Sequence, residues 1–430
     1  MATRHRTFRG GYRFRRFEKY PDNSLTEQAL PRRVIIPLAQ GFGREVKPLV
    51  RAGERVRAGQ IIGRDDENIS SPVHSSLCGV VEEIKRLNYF KRDVLMAVIR
   101  CEGEDHSPLL VEGHNPSWER LSPRQIEKAL YLAGVTALDR EGIPTSFRSS
   151  IIAPDEVEDI IVHGVGSEPY NVSLDVLLAG RKVLDLITGL KILHRMIPRA
   201  RLHLAINSRA KKICEEINKI SSRYDWLDVC LLDPKYPQGY DEMLVPTILN
   251  KKFPFGYSAA NIGVVVLNVQ AVISVYQAVV EGRPLIERTI AVCGPGIEHP
   301  THIKARIGTP LAEIIEPRLS RRFRREDTRI VLNSLLTGAR LTDLSLPLSK
   351  TFSQIIALPE NRRREFLAFL RWGARRQSFS HTFASRLFPF RDKRAETNLH
   401  GEQRPCISCN YCEQVCPVDV IPHLLSKYVT

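Results

Sequence analysis

The stretch Leu202-His203-Leu204-Ala205-Ile206, then a helical segment, then Leu227-Asp228-Val229-Cys230-Leu231-Leu232, decides the fold. Two short apolar strands flank a helix, and the unit recurs on both sides. Asp159-Ile160-Ile161-Val162 precedes it. Residues 262–267 follow it as a further strand and run into a predicted helix over 269–280. Strands alternating with helices indicate α/β units and a largely parallel sheet.

Away from this region the period changes. From residue 31 to about 101 the chain reads as short strands with glycine turns. They are Val34-Ile35-Ile36-Pro37-Leu38, residues 50–62 around Gly53 and Gly59, Ser71-Pro72-Val73-His74, and residues 79–84. Such spacing predicts a small β-barrel or sandwich. His74 lies in one of its turns and reads as a satisfied histidine rather than a ligand. After Pro284, residues 289–294 and 301–308 predict a hairpin, and 310–316 is helix-prone. Residues from about 352 onward read as helical, basic and aromatic.

The chain of 430 residues has room for two to four domains. Hydrophobic residues make up 43% and charged residues 26%. That balance excludes global disorder, a collagen-like repeat and a disulfide-held miniprotein. The net charge of +15 points to an anionic neighbour: nucleic acid, an acidic protein or the anionic face of a bilayer. Residues 1–20 hold seven Lys and Arg against one Glu, interleaved with Phe8, Tyr12, Phe14 and Phe17. This arm is expected to dock on a partner or membrane surface. The longest uncharged stretch, 256–280, carries Asn261, Asn268, Gln270, Ser274 and Gln277, so it reads as buried core rather than a membrane span. The N-terminus has no apolar h-region and does not read as a secretory signal. A cytosolic setting follows as the expectation, with the nine cysteines reduced unless they bind metal.

One run carries chemistry. Cys406-Ile407-Ser408-Cys409-Asn410-Tyr411-Cys412-Glu413-Gln414-Val415-Cys416-Pro417 has the form C-x2-C-x2-C-x3-C-P, the run of bacterial ferredoxins. Thiolates at this spacing wrap a loop around one face of a [4Fe–4S] cube, and soft sulfur ligands suit iron and sulfide. Zinc sites more often pair two short Cys/His units across a longer loop. The candidate ligands are Cys406, Cys409, Cys412 and Cys416. The fourth ligand stays open between Cys416 and a distant cysteine. Cys78, Cys101, Cys214, Cys230 and Cys293 otherwise read as small core residues.

On these residues the chain resembles the superfamily of Rnf-complex C subunits and Nqr-complex A subunits, found in ion-translocating electron transport complexes. Thr7-Phe8-Arg9-Gly10-Gly11 looks like the opening of Rnf C subunits. Residues 48–60, Pro72-Val73-His74 and Gly79-Val80 are similar to their barrel-sandwich domain. Gly166-Ser167-Glu168-Pro169-Tyr170 looks like the E-P-Y segment of a flavin domain. Tyr236-Pro237-Gln238-Gly239, Asn261-Ile262-Gly263 and Asn268-Val269 match further Rnf C motifs. The tail, with Ser378-Phe379-Ser380-His381 and Leu399-His400-Gly401-Glu402, looks more like the Nqr A subunit.

The resemblance implies a multidomain α/β and β architecture. Its parts are a basic arm (1–30), a barrel-sandwich hybrid (31–110), a Rossmann-like α/β domain (111–285), a β-grasp module of the soluble-ligand-binding (SLBB) type (286–345) and a helical ferredoxin-type domain with a [4Fe–4S] cluster (346–430). It also implies a peripheral electron-transfer subunit on the cytoplasmic side of the bacterial inner membrane. Partners would be the other subunits of the complex, with ferredoxin or quinone, and no nucleic acid. The alternative is a quinone-binding or scaffolding subunit of the Nqr A type.

One departure bears on the cofactor. Rnf C subunits carry a glycine-rich G-x-G-G-A-G-F-P-T loop, where glycine backbones approach the FMN phosphate. The matching residues here are Leu138-Asp139-Arg140-Glu141-Gly142-Ile143-Pro144-Thr145. Lost glycines and two acidic side chains argue against FMN. Glu168 and Tyr170 are then read as contacts of a vestigial flavin or NADH site.

Overall fold

The computed structural model describes residues 4–362, except 15, 16, 42, 69, 105, 137, 139–155 and 255, together with 395–397, 408–414, 416 and 420–429. The glycine-poor stretch 139–145, the basic stretch 363–394 and Cys406 lie outside the described residues.

The alternating segments form one all-parallel sheet. Its order is Arg4–Arg6, Leu227–Leu232, Arg201–Asn207, Asp159–Gly164, Val264–Asn268. The four apolar runs suit a sheet with helices on both faces, as parallel sheets require. On one face, Ile160, Val162, Leu204 and Leu267 pack against helices Pro123–Leu132, Lys182–Met196, Lys211–Ser221 and Val269–Val279. On the other, Ile161, Ala205, Cys230 and Val266 pack against Asp241–Leu249. Ser122 and Gln125 close a capping box at the start of Pro123–Leu132, whose proline occupies the first turn.

Helices Lys182–Met196 and Val269–Val279 cross closely at Gly189. A Cβ there would sit 2.5 Å from the Val272 carbonyl oxygen. Backbone cannot yield as a side-chain tip does. Gly189→Ala should therefore destabilise by about 1–3 kcal/mol despite alanine's higher helix propensity, measured by denaturant unfolding.

Two smaller β structures flank this domain. Strands Arg33–Pro37, Arg92–Cys101, Gly79–Tyr89 and Arg55–Val56 form one sheet, and Lys47–Pro48, Ile61–Arg64 and Val73–His74 another. Val34, Ile36, Ile62, Val73, Val81 and Ile99 fill the core between them. The second structure is a six-stranded mixed sheet in which Glu287–Cys293 and Thr301–Arg306 form the predicted hairpin.

Two elements differ from the sequence reading. Residues from 352 do not begin as helix. Gln354–Pro359 is a strand between Thr328–Leu332 and Glu287–Cys293, nearly all of it buried. A short apolar run with Ile355-Ile356 suits a central strand better than a helix. The basic arm is also built into the fold. Arg4–Arg6 pairs in parallel with Leu227–Leu232, and Leu25–Glu27 pairs with Thr301–Arg306. Between them, Phe14 packs on Tyr236, Phe17 on Tyr170, and Lys235 Nζ lies over the Phe8 ring. Aromatic area expected at an outer surface is covered inside the chain. Among the described residues no helix is long and apolar enough to cross a membrane.

Candidate functional site

The chain order of the parallel strands fixes where a ligand belongs. From Asp159–Gly164 the sheet grows one way through Arg201–Asn207 and Leu227–Leu232, while Val264–Asn268 lies on the other side. In open α/β sheets ligands bind outside the carboxyl ends of the strands at such a reversal. Gly164 and Asn268 end the two strands there. A Cβ on Gly164 would meet Leu174 at 2.8 Å and Val269 at 3.0 Å, so glycine lets the chain turn close under the crevice.

Asn268 holds two structures at once. Its Oδ1 accepts from Ala271 N at 2.8 Å and caps helix Val269–Val279. Its Nδ2 donates to Leu138 O at 2.8 Å. Leu138 is thereby tied to the strand end, just before the glycine-poor stretch.

The Gly166-Ser167-Glu168-Pro169-Tyr170 segment leaves the same strand end. Ser167 Oγ accepts from Gly239 N at 3.1 Å, and Glu168 Oε1 accepts from the Tyr240 hydroxyl at 2.5 Å. The E-P-Y and Y-P-Q-G motifs thus meet in space. Tyr170 turns away from Glu168. It has φ +65°, is fully buried, donates to Glu18 O at 2.8 Å and stacks on Tyr20 with centroids 5.6 Å apart. The structure therefore places Glu168 beside Tyr240 and Tyr170 against the arm, with no face of the Tyr170 ring open to a ligand.

A junction below the crevice was not evident from the sequence. Lys350, 1% exposed, donates to Gly134 O at 2.9 Å and Pro72 O at 3.2 Å, with Ser71 Oγ at 3.4 Å. It joins the mixed sheet, the barrel-sandwich turn and the end of helix Pro123–Leu132. Beside it, His74 Nε2 donates to Leu132 O at 2.8 Å. Burial, and next the Lys350 charge, push the His74 pKa down to about 3. An unfolded histidine titrates near 6.5. Between these values the unfolded chain binds the extra proton, so stability falls as pH falls from about 6.5 toward 3. His74→Gln keeps a donor and removes the titration. Its acid-side loss of stability should be shallower than that of the wild type, measured by denaturant unfolding at about pH 4.5 and 7.5.

In the tail, Ser408 and Asn410 both have positive φ, bending the chain tightly around the exposed Cys409. Cys412 and Cys416 are half-buried, Val420 N donates to Cys416 Sγ at 3.2 Å, and Cys412 Sγ lies 3.9 Å from His423 Nδ1. A backbone N–H aimed at a thiol sulfur fits a cluster ligand, since hydrogen bonds to sulfur are among the means by which proteins tune such centres.

Comparison with known proteins agrees with this layout. The RnfC barrel sandwich hybrid domain family matches residues 6–104, and the Nuo51 FMN-binding domain family matches residues 131–277. Over 425 residues the chain is 26% identical to the C subunit of a proton-translocating ferredoxin:NAD(+) oxidoreductase complex from Clostridium ljungdahlii, covering 98% of this chain and 84% of that one. It is 25% identical to the C subunit of a Na(+)-translocating ferredoxin:NAD(+) oxidoreductase complex from Acetobacterium woodii, covering 100% and 88%. The C subunit of an ion-translocating oxidoreductase complex from Pseudomonas aeruginosa is 26% identical, and the chain spans 47% of its length. Among solved structures, an NAD+-reducing [NiFe]-hydrogenase in the H2-reduced state shares a TM-score of 0.45 and 16% identity, over 57% of this chain and 49% of that one.

The second family match corrects the expectation that FMN is absent. The FMN-binding domain match runs through the glycine-poor stretch itself. Loop composition is only one part of such a site. The sheet reversal and the Asn268 tether to Leu138 persist without the glycines, and a helix N-terminus with backbone N–H groups can hold phosphate without a full glycine set. With a barrel-sandwich hybrid followed by an FMN-domain fold, the chain is similar along nearly its whole length to the C subunits of Rnf-type ion-translocating oxidoreductase complexes.

Proposed function

We propose that this chain is a peripheral electron-transfer subunit of a membrane-bound, ion-translocating oxidoreductase of the ferredoxin:NAD(+) type. It would work on the cytoplasmic face, docked on the other subunits of its complex and exchanging electrons with ferredoxin. The observation that carries the reading is the union, in one chain, of an FMN-binding-domain match and a ferredoxin-type cysteine run. FMN, when bound, supplies the conversion between two-electron and one-electron transfer, and the cluster carries electrons singly.

The residues have distinct parts in this scheme. Asn268 and Leu138 fix the entrance of the flavin crevice, and Gly164 keeps its floor open. Glu168, held by Tyr240, places an acceptor at the crevice edge. Cys406, Cys409, Cys412 and Cys416 hold a [4Fe–4S] cluster in a ferredoxin-type tail, with Val420 N–H directed at the last sulfur. The mixed sheet serves as a β-grasp docking module of the SLBB type.

The test is anaerobic iron, sulfide and flavin quantitation with EPR on reduced protein, comparing wild type with Cys416→Ala. About four irons and four sulfides per chain, with flavin, are expected for the wild type. Loss of the cluster signal in Cys416→Ala would assign the fourth ligand. A wild-type chain that takes up neither group under these conditions would overturn the electron-carrier reading.

A further inference from the structure

Within the parallel sheet, outside the crevice, three different donors converge. His203 and Asp228 are Cα partners on neighbouring strands, and Cys230 follows two residues after Asp228. An imidazole nitrogen, a carboxylate oxygen and the thiol sulfur all lie within 4.8 Å of one another. Asp228 Oδ2 is 3.5 Å from His203 Nδ1 and 3.9 Å from Cys230 Sγ. The His203 side chain is 9% exposed and Cys230 is fully buried.

Hydrogen bonding makes this arrangement incomplete. His203 Nε2 donates to Asp159 Oδ1 at 2.9 Å, and Lys251 Nζ balances that carboxylate at 3.2 Å from Oδ2. A neutral imidazole with its proton on Nε2 presents a lone pair at Nδ1. Yet Nδ1 and Asp228 Oδ1 are buried with no hydrogen-bond partner. Nδ1 then faces Asp228 Oδ2, which accepts from the Cys230 thiol, while no donor reaches Nδ1 or Oδ1, an expensive state in a buried setting. A cation removes the conflict. A carboxylate that orients a histidine whose other nitrogen binds metal is a recurrent arrangement. Mixed nitrogen, oxygen and sulfur donors suit a borderline-soft divalent ion, whereas calcium and magnesium prefer oxygen alone.

We propose that His203 Nδ1, the Asp228 carboxylate and Cys230 Sγ bind one divalent cation of the zinc class, with water as fourth ligand and Asp159 as the positioning residue for the imidazole. On binding, the thiol proton leaves to solvent and sulfur ligates as thiolate. The site would fasten Arg201–Asn207 to Leu227–Leu232. Since Arg4 is the Cα partner of Cys230, it would also stiffen the strand that anchors the arm.

The probe is Co2+ alone, titrated anaerobically into the iron-free full chain in which Cys406, Cys409, Cys412 and Cys416 are all replaced by serine, so that the tail thiolates cannot bind it. A thiolate-to-cobalt absorption band saturating at one equivalent is expected, with a raised thermal midpoint as mass action requires. Affinity should fall at least tenfold when Cys230→Ser or His203→Gln is added to that background. Cys230→Ala leaves the core apolar and should fold by circular dichroism while losing the band. In that background, a band that survives Cys230→Ala, or a spectrum and midpoint that ignore Co2+, overturns the site. The second result would leave the three side chains as a metal-free hydrogen-bonded group within the sheet.

Discussion

Lys350→Ala is expected to lower the stability of the chain by about 2–5 kcal/mol, read from guanidinium unfolding. The buried ammonium satisfies acceptors from two other parts of the chain, at Pro72 and Gly134, and alanine strands both and opens a cavity. Lys350→Met separates the two contributions, because it retains most of the packing and loses only the donors. The charge gives an independent signature. Burial pushes the Lys350 pKa down to about 7, against about 10.4 for an unfolded lysine. Between those values the unfolded chain holds the extra proton, so stability rises with pH across that window. Lys350→Met should flatten this rise between about pH 7 and 9.5. An unchanged slope in Lys350→Met would show that the ammonium is not what the junction titrates.

Asn268→Ala should cost about 1 kcal/mol of stability through the lost helix cap and cut flavin retention roughly tenfold or more. The second effect follows from the tether to Leu138 O, at the entrance of the proposed flavin crevice. Asn268→Ser distinguishes the two. Serine caps nearly as well but is too short to reach Leu138 in the same way. Near-normal thermal stability with depleted flavin is expected for serine, measured by acid extraction after gel filtration. Full flavin in both variants would show that the tether does not govern binding.

The parallel sheet was legible because runs such as Asp159-Ile160-Ile161-Val162 are buried on both faces and carry a continuous apolar pattern. The cysteine run was legible because its spacing is itself the chemistry. Other features leave no local trace. Arg4–Arg6 has no apolar residue, and backbone pairing at a sheet edge holds it in place. Gln354–Pro359 is too short for its period to tell strand from helix. Lys350 sits in an ordinary polar stretch, and its acceptors lie 278 and 216 residues away in sequence. The His203 cluster arises from strand register, which no single stretch encodes. The cofactor was misjudged because its reading rested on the composition of one short stretch, whereas the order of strands sets where a cofactor can lie.

The threaded arm has a consequence for how the molecule is made. Arg4–Arg6 leaves the ribosome well before its partner around Cys230, which emerges more than two hundred residues later, roughly ten seconds or more at ordinary rates of synthesis. Leu25–Glu27 waits longer still for Thr301–Arg306. Until then a cationic, aromatic segment is exposed and free to seek anionic or apolar company, so its capture comes late in folding.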